Sequence, residues 1–246
     1  MGAKMSDIED RHGVWDFFDR IYCISLEARE DRRESARRAF ASVGLNQKVE
    51  FVLVRPHPTN IEQGIYESHM TCLRKGLEAG AKTILVFEDD VVFDRFDEDT
   101  FRQSLQFLRA HPDWKVFLLG ALVYSSRKTS NPHVQKVRYK SLAHAYALNR
   151  PYAETIAYEP WRGIVADVIF RPLTEGIYAA YPMFAFQGDF SSDNDAKYKP
   201  LEKFRRLCGG LKTIQKANEF YNRHKFGIIA FHLGALCLLI LLLKDC

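Results

Sequence analysis

Three short apolar runs, Ile21 to Leu26, Val49 to Val54 and Thr83 to Phe87, are separated by two stretches with helical spacing. In the first of these, Arg29 to Val43, residues Ala36, Ala39, Phe40 and Val43 share a face, and Gly44 ends the run. In the second, Ile65 to Ala79, the face is Ile65, Cys72, Leu73 and Leu77, and Gly80 is the stop. Strand-length apolar runs alternating with helical periods predict β-α-β-α-β, hence a parallel sheet covered by helices. The expected fold class is α/β, with a Rossmann-type, mostly parallel sheet flanked by helices.

Downstream, the pattern predicts a helix over 97–110, a strand over 115–119 and a polar loop over 125–133. A weak strand follows over 141–148, then a helix over 151–158 that begins at Pro151, a favoured first helical residue. A short helix over 164–170 and a strand over 176–181 close the body. No repeat or low-complexity tract interrupts the chain.

The domain scheme expected is a loose leader over 1–17, a catalytic domain over 18–198, a basic helical segment over 199–225 and an apolar tail over 226–246. With 47% hydrophobic and 27% charged residues, the chain can bury a core. Its net charge of +4 is uneven, because 199–225 holds eight Lys/Arg against two Glu. Positive charge beside the uncharged run Phe226–Leu243 points to an anionic membrane surface rather than nucleic acid. The expected placement is the cytoplasmic face of a membrane, anchored C-terminally or peripheral, since positive flanks stay cytoplasmic. A helix packed on the domain is the plain structural alternative. Five cysteines without C-x-x-C spacing read as reduced thiols, not a zinc site.

The chemistry-bearing residues cluster near predicted strand ends. Glu88, Asp89 and Asp90 follow the third apolar run directly. Ligands in open parallel sheets bind at the carboxyl ends of strands, and three adjacent carboxylates there need compensation. Oxygen ligands of this kind suit Mn²⁺ or Mg²⁺, which would stabilise a departing diphosphate. The arginine-rich turn Leu26-Glu27-Ala28-Arg29-Glu30-Asp31-Arg32-Arg33 lies at the same edge, and its forked donors suit a diphosphate or uracil. Read alone, it is a helix start with exposed ion pairs of Arg29 to Arg33 with Glu30 and Asp31. Ser68 and His69, at the start of the second helix, are candidate donor contacts or a satisfied buried pair. Asp167, inside an apolar run, is a candidate general base. His144, Tyr146 and Gln187 are placed on the acceptor side.

Taken in order, these motifs resemble glycosyltransferase family 25, which includes bacterial lipooligosaccharide and collagen galactosyltransferases. The resemblance runs through Ile24-Ser25-Leu26, Arg29 to Arg33, Gly64 with Ser68-His69, and Ile84 to Phe87 into Glu88-Asp89-Asp90-Val91. It continues through Ala145 to Leu148, Asp167, Pro182, Gln187 and Ser191-Ser192. Val165-Ala166 departs from the family's usual Pro-Val before the acid. The resemblance implies a GT-A-like fold and inverting transfer from a nucleotide sugar, often UDP-galactose, to a glycan, glycolipid or protein hydroxyl, with a divalent cation. It implies metal binding by Glu88, Asp89 and Asp90, nucleotide contacts from Arg29, Arg32, Ser68, His69 and Asp89, and Asp167 as base. A metal-dependent phosphohydrolase or nucleotidyltransferase, and a non-catalytic glycan-binding protein, are the rival readings.

Overall fold

The computed structural model describes residues 13–45, 47–188, 205 and 207–244, with side chains of the last helix described as far as 236. The expected α/β architecture is present. Strands β1 (Arg20–Leu26), β2 (Val49–Val54) and β3 (Thr83–Glu88) alternate with helices α1 (Glu30–Ser42) and α2 (Ile61–Glu78). After β4 (Val91–Phe93) come α3 (Glu98–Ala110), β5 (Val116–Leu118), β6 (Leu122–Lys128), β7 (Val134–Ser141) and β8 (Ala145–Asn149). The remaining elements are α4 (Arg150–Ile156), β9 (Ile177–Ala180), β10 (Ala185–Gln187) and a long α5 (Gly210–Lys244).

Eight strands form one sheet in the order β2-β1-β3-β8-β5-β9-β7-β6, and β10 pairs with β4 in a small second sheet. β1 is parallel to β2 and to β3, and β5 is parallel to β9. Only β8 and β7 run against their neighbours, so six of the eight strands point one way.

Alternation along the central strands fills two cores, because successive side chains leave opposite faces of a strand. Ile21, Cys23, Leu85 and Phe87 face α1 and α3, packing with Phe40, Phe101, Leu105 and Leu108. Tyr22, Ile84 and Val86 face α2 and α4, packing with Met70, Leu73 and Ala153. This is why the central runs read as continuously apolar: both faces are covered.

Local chemistry sets the element ends. Asn60, Asp97 and Asn149 cap α2, α3 and α4, their side chains accepting from the backbone N–H of Gln63, Thr100 and Tyr152. Gly44 and Gly80 follow α1 and α2 at φ of 75° for each, a region that favours glycine.

Three expectations need revision. The end of the expected leader is part of the core: Val14–Phe17 forms a 3₁₀ turn, and Trp15 is buried with its indole N–H donating to Val43 O at 2.7 Å. Trp15 also packs with Phe18, Phe96, Phe101 and Phe184. Of the segment expected as a polar loop over 125–133, residues 129–133 are the connection, whereas 125–128 belong to β6, which runs to Lys128 before β7 begins at Val134. Pairing between those strands, not apolar content, makes them strands. The short helix expected over 164–170 contracts to a 3₁₀ turn, Ala166–Val168.

Helix α5 docks through polar side chains. Asn218 Oδ1 accepts from Val123 N at 2.9 Å, and its amide donates to Val123 O at 3.0 Å. Gln215 donates to Ala185 O at 2.9 Å, and Glu219 accepts from Met183 N at 2.7 Å. Arg223 still lies over the Tyr181 ring at 4.5 Å, and beyond it Phe226, Ile229, Phe231, Leu233 and Leu236 are all exposed. Among the described residues no helix is long and apolar enough to cross a membrane. The end of the apolar run, 237–243, lies outside the residues whose side chains are described.

Candidate active site at the end of strand β3

The chain reverses its direction of sheet growth at β1. From β1 it moves outward to β2, and α2 then carries it back across β1 to β3. Such a switch opens a crevice at the carboxyl ends of the two strands. Glu88 ends β3 and stands in register with Ile24 of β1. Asp89 and Asp90 form the turn into β4, and Arg32 of α1 faces them.

The arginine turn is braced from within. Arg33 is buried and donates to Leu26 O, to Glu27 O at 2.9 Å and to the Ser25 hydroxyl at 3.4 Å, and it pairs with Glu30. Arg29 forks onto Asp31, with both contacts at 3.0 Å. The ion pairs expected of a plain helix start are therefore present. Arg32 does something different: its Nε lies 3.0 Å from Asp89 Oδ1 and its terminal nitrogen 3.0 Å from Asp90 Oδ2. All three of these side chains are nearly buried. One guanidinium thus lies between two carboxylates and pairs with both by charge, its Nε making no hydrogen bond.

Each carboxylate has its own environment. Burial raises the Asp89 carboxyl, against a hydrogen bond from Ser25 and the charge of Arg32. Burial and neighbouring Glu88 push Asp90 well above the carboxylate range. Burial is the largest influence on Glu88 and pushes it upward, but His69, His144 and Arg32 together outweigh it and leave the carboxyl lowered. His69 Nε2 lies 3.3 Å from Glu88 Oε1, and His69 Nδ1 lies 3.0 Å from the Tyr146 hydroxyl. Gln187 spans the opposite side, its amide 3.4 Å from both Glu88 Oε2 and Asp90 Oδ2. The backbone N–H of Gly188 donates to Asp90 O at 2.7 Å, fixing β10 against the triplet.

Asp167 belongs to the same electrostatic cluster. Its carboxyl is raised first by burial and then by Glu88, and it in turn raises Asp90. Ala143 N donates to its Oδ1 at 3.2 Å, and Tyr139 donates to its backbone carbonyl at 2.8 Å. The 3₁₀ turn and β7 thereby hold it.

Several predicted roles change with this placement. Tyr146 is 1% exposed and lies beneath the corner against His69, so its side chain is not an acceptor-side surface. His144 is wholly buried, with Nε2 3.2 Å from Ala185 O. Ser68 is buried and donates to Gly64 O at 2.7 Å, a bond within α2. His69, 1% exposed, reaches the site through Glu88 rather than by lining it. Gln187 moves from the acceptor side to the acidic corner. Ser25, Arg33 and Gly188 complete the corner but were not singled out as site residues. Ser25 lies near the end of β1, just ahead of the arginine turn, and that position is the signal in the sequence. Ser191 and Ser192 lie outside the described residues.

The corner does not fit a divalent ion as arranged. Asp90 Oδ1 is buried without a hydrogen-bond partner, which is the one feature inviting a cation. The remaining oxygens face Arg32, His69, Ser25 and Gln187. Among the described residues no group of three or more His, Cys, Asp or Glu side chains is placed to hold a metal ion. Glu88, Asp89 and Asp90 are adjacent in sequence but do not converge as the expected ligand set.

No family model matches the chain, and no curated protein matches it. Solved structures do. The chain resembles A197 from STIV at 15% identity and TM-score 0.43, over 70% of this chain and 86% of that one. It resembles a UDP-glucose pyrophosphorylase complexed with UDP-glucose at 12% identity and TM-score 0.42, over 82% and 80%. A glycosyltransferase involved in glycosylating the major capsid of PBCV-1 matches at 9% identity and TM-score 0.34, over 55% and 62%. Likenesses this distant carry no argument about chemistry, which rests on the residues of the corner.

Proposed function

We propose that this chain is a nucleotide-sugar-dependent glycosyltransferase. The observation that carries the reading is the carboxylate corner at the β1/β3 switch point, faced by Arg32 of α1 and shared with Asp167. The donor is a nucleoside diphosphate sugar, with UDP-galactose as the sugar nucleotide that the family resemblance implies. The acceptor is a hydroxyl of a glycan, glycolipid or protein.

Inverting transfer places the acceptor oxygen opposite the leaving diphosphate. That oxygen forms the new bond to the anomeric carbon as the bond to the diphosphate oxygen breaks, and its proton passes to Asp167. A carboxyl raised by burial is a stronger base than one in water, which suits this step. Positive charge at the other side comes from Arg29 and Arg32. The expected Mn²⁺ or Mg²⁺ enters no step, because the carboxylates that would hold it are engaged elsewhere.

A panel of nucleotide sugars, assayed for nucleoside diphosphate release with and without glycan acceptors, tests the reading. Acceptor-dependent release from one donor is expected. Release of free sugar without any acceptor would instead favour a phosphohydrolase, and no binding of any nucleotide would favour a non-catalytic fold.

The free half of α5 has its own place in this proposal. Arg223 and Lys225 precede the exposed Phe226, Phe231, Leu233 and Leu236. Cationic residues beside apolar ones suit an anionic bilayer surface, with the body on the cytoplasmic side. Flotation with phosphatidylserine vesicles should retain the full chain and lose a variant lacking 226–246. Equal behaviour of the two would remove the membrane from the picture.

A further inference from the structure

We propose that the guanidinium of Arg32, rather than a divalent ion, is the resident cation of the acidic corner, so that nucleotide binding needs no metal. The consequence for nucleotide rests on the transferase reading; the statement about the cation does not.

Position makes Arg32 suited to this role. It lies in the first turn of α1, three residues after the helix N-cap Arg29, and Arg33 beside it ties that turn to the end of β1. The stem is therefore carried by a rigid element, and the guanidinium lies 3.0 Å from both Asp89 and Asp90, paired by charge rather than through a hydrogen bond at Nε. A metal would bind these oxygens at about 2.0–2.2 Å and would confront the guanidinium at close range. For the ion to enter, Arg32 would have to surrender both carboxylates. The third acid is not spare, since Glu88 faces His69 and Gln187. The same side chain that neutralises the aspartates stands where a diphosphate would arrive, and arginine is suited to phosphate by its fork. A permanent positive charge fixed in a poorly hydrated corner needs no reorganisation when charge develops on a leaving group.

Calorimetry of the full chain with Mn²⁺ alone, in the absence of nucleotide, tests the cation assignment directly. No saturable binding at millimolar Mn²⁺ is expected for the natural sequence. Arg32→Ala is expected to gain a Mn²⁺ site, seen as saturable heat and as a melting temperature that rises with Mn²⁺ only in the variant. One-to-one Mn²⁺ binding by the natural protein, abolished by Asp89→Asn, would overturn the assignment whether or not the Arg32 variant folds. A second arm titrates uridine diphosphate with excess chelator present. Binding should persist there and weaken about 10- to 100-fold in Arg32→Ala, the range for losing a charge-assisted contact. Binding that appears only when Mn²⁺ is added would also overturn the proposal. Should no nucleotide bind under either condition, the transferase reading fails and the Mn²⁺ arm still decides the cation.

Discussion

His69 stands between Tyr146 and Glu88, with Nδ1 3.0 Å from the tyrosine hydroxyl and Nε2 3.3 Å from the carboxylate. A hydroxyl that donates to Nδ1 leaves the imidazole proton on Nε2, which lies close to Glu88 without forming a hydrogen bond to it. The ring also stacks on Tyr146, with centroids 5.7 Å apart. A strand in the middle of the sheet thus orients an acid at its rim. Tyr146→Phe should leave a buried ring nitrogen without its donor and cost about 1–3 kcal/mol in urea unfolding. A variant as stable as the natural protein would show that the hydroxyl contributes nothing to the arrangement.

Asp167 is raised by burial and by Glu88, so its carboxylate is held against an unfavourable field. Asp167→Asn should cut turnover by roughly 10²–10⁴-fold if the acid accepts the acceptor's proton. Donor KM should change little, because the residue faces the attacking group. Stability should not fall appreciably, since the substitution removes a strained charge while an amide retains an oxygen for the Ala143 N–H. If Asp167 is the base, the natural protein's rate profile should have an acid limb above the ordinary carboxylate range, with activity rising as pH increases. A loss of only a few-fold, or a limb at the usual aspartate pKa, would reassign the base.

Asp94 joins the rim of the site to α5. Lys216 and Lys212 reach it at 2.6 Å and 3.0 Å, and their hydrogen bonds lower its carboxyl to about 2. A depressed folded-state pKa stabilises above the unfolded value of about 3.8. That contribution should shrink as pH falls below the unfolded value and be lost as it passes through about 2. The side chain is 32% exposed, so solvent screening limits the effect to at most about 1 kcal/mol. Asp94→Asn should flatten this part of the stability profile and lessen its salt dependence. An unchanged acid profile would mean the ion pairs do not hold the helix.

Gly120 leaves no room for a side chain. A Cβ placed there would lie 1.8 Å from Ala185 O and 2.9 Å from Gln215 Nε2. Gly120→Ala must push β10 and α5 away from the sheet. Thermal unfolding should show a loss of at least about 1–3 kcal/mol, typical of overpacking. The same shift would move Gln187 from the acidic corner, so nucleotide affinity should fall too. Full stability in this variant would contradict the close approach.

Sequence periodicity alone determined the β-α-β-α-β beginning, because apolar runs buried on both faces and one-sided helices leave a local signature. It also placed Glu88, Asp89 and Asp90 at a strand end and put arginines at the same sheet edge. Only the tertiary structure decided what those groups face. Whether a carboxylate meets a metal, a guanidinium or an imidazole depends on residues distant in the chain: Arg32 from α1, His69 from α2 and Gln187 from β10. Trp15 was hidden for the same reason, since its partners Phe96, Phe101 and Phe184 come from three later segments. The β6–β7 hairpin carries polar side chains on exposed positions, and cross-strand pairing supplies what hydrophobic pattern does not. Periodicity records which side of an element avoids water; it holds no information about which polar group arrives from across the fold.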